Sequence, residues 1–324
     1  MLMTLDEASK RIKEGALLHI AGVGALLKKL PKGSWVGGST EHFMAEGGGK
    51  VSDGLLFVTE FPYKDFTIKQ YDTETIKNVA ADAFDNGFSI VIIPFDSALH
   101  KVYAEKAPGF EGMFIKNVGG WISGVSPDAP PGQAPIAVNG LTGEAYTDRG
   151  AALHIGVPGD KSVTIGVINI FSQDETAPAI EFPEEGFSVT KCLVDGKETV
   201  FADYVNKIKY DTRQPIVGNY AGNGVNVSFR SIEGGVVNFY SPVFVGIKYK
   251  IAKPVPNYAE EFGGRLANHL SKLDAGTVFS CNCYLNFVHG KLEGRSTEHF
   301  VGPITYGEIA YQLVSQTLVY ITVI

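Results

Sequence analysis

Apolar side chains recur at helical spacing in three stretches of the chain. Thr4-Leu-Asp-Glu7 is a capping box that opens a first helix over residues 4–14. A second apolar stripe, ended by Gly87, predicts a helix over residues 74–86, and a third predicts one over residues 259–273. The apolar positions of the two longer helices are Ile76, Val79, Ala80, Ala83 and Phe84 in one, and Phe262, Leu266, Leu270 and Leu273 in the other.

An apolar run follows each of the two longer helices. Ser89–Phe95 and Thr277–Cys281 are continuous enough to be buried strands. The first begins two residues after Gly87, and the second directly after Gly276. A helix, a glycine and a buried strand in that order are typical of an α/β unit, which here occurs once in each half. Alternating segments with turn signals predict further strands near residues 151–157, 162–171, 187–194, 224–230 and 235–240.

The beginning of the chain is echoed near its end. Gly54–Glu60 matches Thr317–Val323, and a second set of residues matches at nearly the same spacing. Such an echo is the mark of a duplicated unit. The second set pairs Val36, Gly37 and Thr40 with Val301, Gly302 and Thr305.

We therefore predict a mixed α/β (α+β) fold of two pseudo-repeated halves, each a mixed β-sheet backed by helices. A polar break at Ser172–Thr176 places the boundary between residues 1–172 and 173–324. The identical pentapeptides Ser39–Phe43 and Ser296–Phe300 stand at a different spacing, so they are only suggestive of the same duplication.

The charge pattern excludes two classes of partner. The net charge is −7, and no cluster of Lys and Arg is larger than Lys28-Lys29, which argues against a nucleic-acid or anionic-membrane surface. No apolar run approaches roughly 18 residues, so no transmembrane helix is expected. The N-terminus does not read as a signal peptide, and three cysteines form no disulfide framework. We expect a cytoplasmic protein.

Cys281 and Cys283 are two residues apart on a predicted strand, so their side chains point to the same side. They could form half of a metal site, or one could be a nucleophile activated by His289 or His299. Cysteines on strands are more often small apolar core residues. Metal sites need a second ligand pair, and the sequence contains only this one.

Other polar residues stand out against apolar neighbours. Glu308 is either a charge at a helix N-terminus or a pocket carboxylate that accepts a cationic ligand, and Tyr306 lies beside it. His42 and His299 each lie in one copy of the pentapeptide, where an exposed or core histidine is the ordinary interpretation and a ligand contact the alternative. The glycines at 22 and 24 lack the third glycine of a dinucleotide loop.

The C-terminal motifs together resemble the FIST family of bacterial sensory domains. Phe279-Ser-Cys281 is followed by Phe300-Val-Gly302, Tyr306–Ala310 and a final apolar strand, an order similar to the C-terminal part of that family. Val36–Glu41 and Val118–Gly120 resemble its glycine-rich strand ends in the N-terminal part. The chain is a divergent member of this pattern, because Asn282 follows the cysteine where the family usually has arginine.

The resemblance implies a sensory protein that binds a small, amino-acid-like molecule and acts through a signalling partner, since no output domain is recognisable in the chain. The expected ligand-binding residues are Gly119, Gly120, Cys281, Tyr306, Glu308, His299 and His42. Because some relatives bind haem, haem is an alternative ligand, with His299 or Cys281 as the axial residue and His42 after them.

Two further functions remain open from the sequence. One is an enzyme with Cys281 or Cys283 as its nucleophile, although no orienting acid or oxyanion hole is recognisable. The other is a structural or assembly protein whose apolar C-terminal strands pair between subunits of an oligomer. A binding protein is favoured over an enzyme because no catalytic motif is present.

Overall fold

The computed structural model describes residues 1–129, 131–270, 276–297 and 300–324, without the side chains at 269 and 270. The fold is mixed α/β, with 17% helix and 42% strand, which confirms the predicted class. One compact unit comprises residues 1–168, 266–313 and 317–324, and the other comprises residues 169–265 and 314–316. The chain thus enters the second unit close to the predicted boundary but returns to the first, so the units are not successive halves.

The first unit opens with a structural repeat. Its first strand, the edge strand, lies at the edge of a sheet and pairs with its last strand, the return strand. The repeat consists of β1 (Leu2–Met3), α1 (Leu5–Lys13), β2 (Leu17–Gly22), α2 (Gly24–Leu27), β3 (Trp35–Ser39), β4 (His42–Ala45), β5 (Gly48–Val51) and β6 (Leu56–Phe61). The predicted capping box is present, because the Thr4 hydroxyl accepts from the Glu7 amide and the Glu7 carboxylate accepts from the Thr4 amide. This cap fixes the start of α1.

A second repeat follows in the same order. It consists of β7 (Phe66–Tyr71), a 3-10 turn (Ile76–Asn78), β8 (Gly87–Pro94), α3 (Ala98–Lys106), a second 3-10 turn (Ala107–Gly109), β9 (Asn117–Ser123), β10 (Ala137–Asn139), β11 (Glu144–Tyr146) and β12 (Gly150–Gly156). The helix predicted over residues 74–86 is wrong. Ile76, Val79 and Ala80 are buried, as the apolar pattern predicts, but they lie in irregular turns. The same spacing of apolar residues therefore does not require a continuous helix here.

The edge strand of a third repeat, β13 (Val163–Ile168), leads into the second unit. The elements that follow it are β14 (Ile180–Glu181), β15 (Gly186–Val189), β16 (Lys191–Val194), β17 (Lys197–Val200), α4 (Phe201–Lys207), β18 (Ile216–Tyr220), β19 (Asn223–Val227), β20 (Phe229–Glu233), β21 (Val236–Val243), β22 (Tyr249–Ile251) and α5 (Tyr258–Leu270). Strands β14 to β22 form one six-stranded and one three-stranded sheet. Their core is rich in aromatic rings, among them Phe182, Phe201, Phe229, Phe239 and Tyr249.

The third repeat is completed after this insertion. Its remaining elements are β23 (Thr277–Cys283), α6 (Tyr284–His289), β24 (Gly302–Thr305), β25 (Glu308–Ala310), β26 (Gln312–Val314) and β27 (Leu318–Val323). The predicted strands at Ser89–Phe95 and Thr277–Cys281 correspond to β8 and β23 and are confirmed. The helix predicted over residues 259–273 corresponds to α5, and its last three residues lie outside the described residues. No helix in the described ranges is long and apolar enough to cross a membrane.

The three repeats build three six-stranded sheets with the same strand order. In each sheet the return strand pairs antiparallel with the edge strand on one side and with the first long strand on the other. The first long strand then pairs in parallel with the next one. A two-stranded hairpin from a different repeat completes the sheet. Hairpin β4–β5 joins β24, hairpin β10–β11 joins β3, and hairpin β25–β26 joins β9. The exchange therefore forms a closed cycle.

The predicted repeat is present but is one of three copies rather than one of two halves. Strands β3 and β24, and likewise β6 and β27, hold equivalent places in their sheets, as the sequence echo requires. The copy at residues 66–156 is the one that the echo does not reveal. The main part of the second unit, which lies near the middle of the chain, is an insertion between β13 and β23 of the third repeat.

Gly120 should be intolerant of any side chain. Its φ is +147°, and a Cβ atom there would lie 2.0 Å from the carbonyl oxygen of Val91 on β8. We expect Gly120→Ala to lower the free energy of unfolding by roughly 3 kcal/mol in urea denaturation. Gly54→Ala, where the added methyl meets open space, is the matched control and should change it little. Equal effects of the two substitutions would contradict the packing of β8 against β9.

Candidate functional site

The carboxyl ends of strands β3, β9 and β24, one from each repeat, meet at one place in the first unit. The Gly124 amide donates to the Ser39 carbonyl at 2.8 Å, and the Tyr306 amide donates to the Ile122 carbonyl at 3.0 Å. The Thr40 hydroxyl donates to the Ile304 carbonyl at 2.7 Å. These bonds link β3 with β9, β9 with β24, and β24 with β3. Ligand sites of α/β folds lie at the carboxyl ends of parallel strands, so this is the first place to look for one.

Five ring side chains form a continuous line across this region, which we call the aromatic row: His42, Tyr284, Tyr306, Phe95 and His100. Successive ring centroids are 5.1, 5.2, 6.1 and 5.4 Å apart. The three central rings are half-buried, whereas the two histidines at the ends are buried. The row takes residues from all three repeats.

Tyr306 is held in the row by a glycine. A Cβ atom at position 124 would lie 2.0 Å from the Tyr306 ring, so the ring rests directly on the Gly124 backbone. The ring of Tyr284 also stacks on the Tyr306 ring, nearly parallel at 11°. Only the absence of a side chain at Gly124 permits this packing. The position of Tyr306 is therefore set by two repeats at once.

His42 is the most unusual polar residue of the row. Its side chain is 7% exposed, and its Nδ1 has no hydrogen-bond partner among the described residues. Tyr284 and Phe287 of α6 pack against its ring at steep angles. Burial lowers the pKa of His42, and the carboxylates of Glu41 and Glu293 offset part of this shift. The imidazole is thus neutral at pH 7, and its Nδ1 makes no hydrogen bond within the described chain.

Glu308 lies in the interior of the first unit and not in a helix. It begins β25, so its interpretation as a charge at a helix N-terminus is wrong. The hydroxyls of Thr305 and Thr317 each donate to its carboxylate at 2.8 Å, and the Thr317 amide donates at 3.2 Å. Burial raises the pKa of Glu308 to about 8 despite these donors, so the group holds a proton at neutral pH.

The two cysteines of β23 are core residues with unreactive surroundings. Cys281 and Cys283 are 1% and 3% exposed, and the Cys281 thiol lies 3.5 Å from the Gly120 carbonyl oxygen. Burial, together with Glu308 and Cys283, raises the pKa of the Cys281 thiol well above its usual value. A thiol of this kind is not a prepared nucleophile. The geometry does not favour the cysteine enzyme.

Six of the seven predicted site residues form two groups, and the seventh is not described by the structure. Gly119, Gly120, Cys281 and Glu308 come together, but there the two glycines allow close packing: Gly119 faces side chains of Ile321 and Ile165, and Gly120 faces Val91. Tyr306 and His42 both contact Tyr284 in the aromatic row. His299 lies outside the described residues.

Two of the predicted axial candidates for a haem, Cys281 and His42, lie on opposite faces of the sheet, so they could not both contact one haem. Asn282 accepts a hydrogen bond from Asn286 of α6, so its side chain lies on the α6 face of the sheet. Neighbouring residues of a strand alternate, which puts Cys281 on the opposite face. His42 contacts α6 and is therefore on the α6 face. No group of three or more His, Cys, Asp or Glu within the described ranges could hold a metal ion.

A cavity of about 340 Å³ lies in the second unit and contains none of the predicted residues. Residues 253–257 form much of its wall, and its charged groups include Glu261 and Arg265. These two side chains form an ion pair at 3.4 Å, each about half exposed, which is an ordinary surface arrangement. The aromatic row is the better candidate because it combines buried polar and half-buried aromatic groups.

Sequence reasoning missed Phe95, His100, Tyr284 and Phe287. Phe95 and Tyr284 each stand directly after a long strand, at the end where ligands bind in α/β folds. An aromatic residue at the carboxyl end of a buried strand is therefore the signal that points to the row. His100 and Phe287 carry no such signal, since they lie inside helices.

Both cysteines of β23 should resist alkylation. In the folded protein we expect Cys281 and Cys283 to react with iodoacetamide at neutral pH on the order of 100-fold more slowly than after denaturation. Mass spectrometry of digested samples would assign the labelled positions, with the buried Cys192 as an internal comparison. Fast labelling of Cys281 or Cys283 without denaturation would restore the cysteine enzyme as a candidate.

Glu308 should make stability fall as the pH rises. The pKa of Glu308 is about 8 in the folded protein against an ordinary 4.5. Its contribution to the free energy of unfolding is therefore fully present below pH 4.5 and is lost as the pH rises to about 8. The loss amounts to roughly 4 kcal/mol over this window. Glu308→Gln keeps the shape without the ionisation, so its unfolding free energy should decline less between pH 5 and pH 8.5. Parallel pH profiles of the two proteins would contradict the assignment.

Comparisons with known proteins identify the family and nothing beyond it. Neither the curated proteins nor the solved structures include a significant match to this chain. A family model matches residues 3–324, and its description is a family of unknown function, DUF6976. Because the match spans nearly the whole chain, the protein belongs to the DUF6976 family.

Proposed function

We propose that this protein is a cytoplasmic sensory protein that binds a small molecule at the aromatic row. The observation that carries the proposal is the row itself, which joins half-buried aromatic rings to a buried histidine at the carboxyl ends of three strand pairs. Small-molecule sites combine aromatic surface with a few well-placed polar groups. The similarity of the strand-end motifs to the FIST family supports the same function.

The row offers both kinds of contact that a small ligand needs. The half-buried rings of Phe95, Tyr284 and Tyr306 supply apolar surface at low entropic cost, because each has few rotatable bonds. The neutral ring of His42 supplies a polar atom whose hydrogen bond is not made within the described chain. A buried polar atom without a partner costs free energy, which a bound ligand would recover.

A ligand at the row would touch residues of all three repeats. Phe95 belongs to the second repeat, His42 to the first, and Tyr284 and Tyr306 to the third. Binding would therefore tighten the meeting point of the three sheets. A change of this kind can be passed to a signalling partner, because a ligand shifts a conformational equilibrium by its differential affinity. This is the sensory role that the family resemblance implies.

A thermal-shift screen across amino acids and common metabolites should identify a ligand. At 100 times its dissociation constant a ligand adds about 2.7 kcal/mol to stability, which raises the melting temperature measurably. We expect Tyr306→Leu to weaken binding roughly tenfold, because it removes the central ring of the row. Tyr63→Leu removes another half-buried tyrosine that packs on Phe88, and it should leave the affinity unchanged.

Two results would count against the proposed site. A flat response across a broad library would argue that the protein binds no small metabolite. A ligand whose affinity is lowered equally by Tyr306→Leu and Tyr63→Leu would bind elsewhere or respond only to general stability. Circular dichroism of both variants would confirm that they are folded before the affinities are compared.

A further inference from the structure

Two carboxylates among the described residues interact electrostatically with the His42 ring. They belong to Glu41 and Glu293. Glu41 directly precedes His42, and the backbone at Glu293 pairs with Gly49 of β5, the strand next to that of His42. Neither carboxylate has an ion-pair partner among the residues that the structure describes. These two carboxylates therefore contribute negative charge at this end of the row.

A neutral His42 offers an acceptor at Nδ1 when its ring proton is on Nε2. A neutral imidazole has one nitrogen that donates a hydrogen bond and one that accepts, and Nδ1 is the nitrogen left without a partner in the described chain. The residue is only 7% exposed and its Nδ1 is buried, so bulk water does not replace the missing partner. A donor that also brings positive charge would match both the acceptor and the nearby carboxylates.

The aromatic neighbours favour the same kind of ligand. Tyr284 lies 5.1 Å from the His42 ring and Phe287 lies 5.4 Å from it, both measured between centroids. Aromatic rings attract cations through the negative charge of their faces, and the attraction grows when the cation is removed from water. An anion would meet repulsion from the carboxylates and the rings together. A neutral ligand would leave the two carboxylates without compensation.

We infer that the ligand of the aromatic row carries a protonated amine, which donates a hydrogen bond to His42 Nδ1 and is balanced by Glu41 and Glu293. The inference rests on the proposed function, because it names the chemical class of molecule that the same site binds. The apolar part of the ligand lies along the rings of Tyr284 and Tyr306. Selectivity for the amine comes from the neutral histidine and the two carboxylates.

The test compares matched probes by isothermal titration calorimetry on the full-length protein at pH 7. 2-Phenylethylamine is protonated at this pH, 2-phenylethanol replaces the ammonium with a hydroxyl, and 3-phenylpropanoate carries a negative charge instead. We expect the amine to bind at least about tenfold more tightly than the alcohol and the carboxylate to bind most weakly. Raising the salt concentration should weaken the amine and leave the alcohol unchanged.

Variants separate the role of the carboxylates from general effects on folding. Glu41→Gln combined with Glu293→Gln should lower the affinity for 2-phenylethylamine about tenfold while leaving that for 2-phenylethanol unchanged. Glu46→Gln is the control, since Glu46 is an exposed carboxylate in the same hairpin and does not act on the His42 ring. Its affinity for the amine should equal that of the wild-type protein.

Each remaining outcome overturns a defined part of the account. If the alcohol or the carboxylate binds as tightly as the amine, the inferred class is wrong. If none of the three probes binds but the metabolite screen yields a ligand sensitive to Tyr306→Leu, the amine is wrong and the binding site stands. If neither experiment yields a ligand, both proposals fail, and a structural water is then the simplest partner for His42 Nδ1.

Discussion

The exchange of hairpins between the three repeats is the constraint on which the first unit depends. A sheet edge that is left unpaired exposes a row of backbone donors and acceptors, and each repeat alone would leave such an edge on the strands β3, β9 and β24. The hairpins β10–β11, β25–β26 and β4–β5 cover these edges in a closed cycle. No repeat can complete its sheet without another, so the three sheets must form together. The same exchange brings the carboxyl ends of the inner strands to one place, where backbone hydrogen bonds join them.

The chemistry of the candidate site follows from this convergence. Tyr306 leaves β24 and rests on Gly124, which follows β9, and His42 opens the hairpin that joins β24. The ring of Tyr284 then fills the space between Tyr306 and His42. Burial keeps the histidine neutral and leaves its Nδ1 without a partner among the described residues. The interior on the other face of β23 is closed instead by Glu308 and the cysteines, where burial suppresses ionisation rather than preparing a reaction.

The sequence was sufficient for the local features of this fold and for part of its symmetry. The capping box of α1 and the buried strands β8 and β23 depend on neighbouring residues only, and they were predictable. Two of the three repeats were detectable because β6 and β27 lie in equivalent places with similar sequences. The second repeat resembles the first in sequence only at the Val-Gly-Gly that β9 shares with β3. The aromatic row could not be predicted, because its rings meet only after hairpins have crossed between repeats that are far apart in the chain.

The central claim, that a ligand binds beside His42 at the meeting point of the repeats, is tested most directly by imidazole NMR. In protein with ¹⁵N-labelled histidine, a titration with a ligand from the screen should shift the Nδ1 resonance of His42. His154 provides the internal reference, because both of its ring nitrogens are already bonded, to Ser89 and to Tyr71, and its resonances should stay in place. A ligand that saturates the protein while the His42 resonances stay unchanged, or that moves those of His154 equally, would contradict the account.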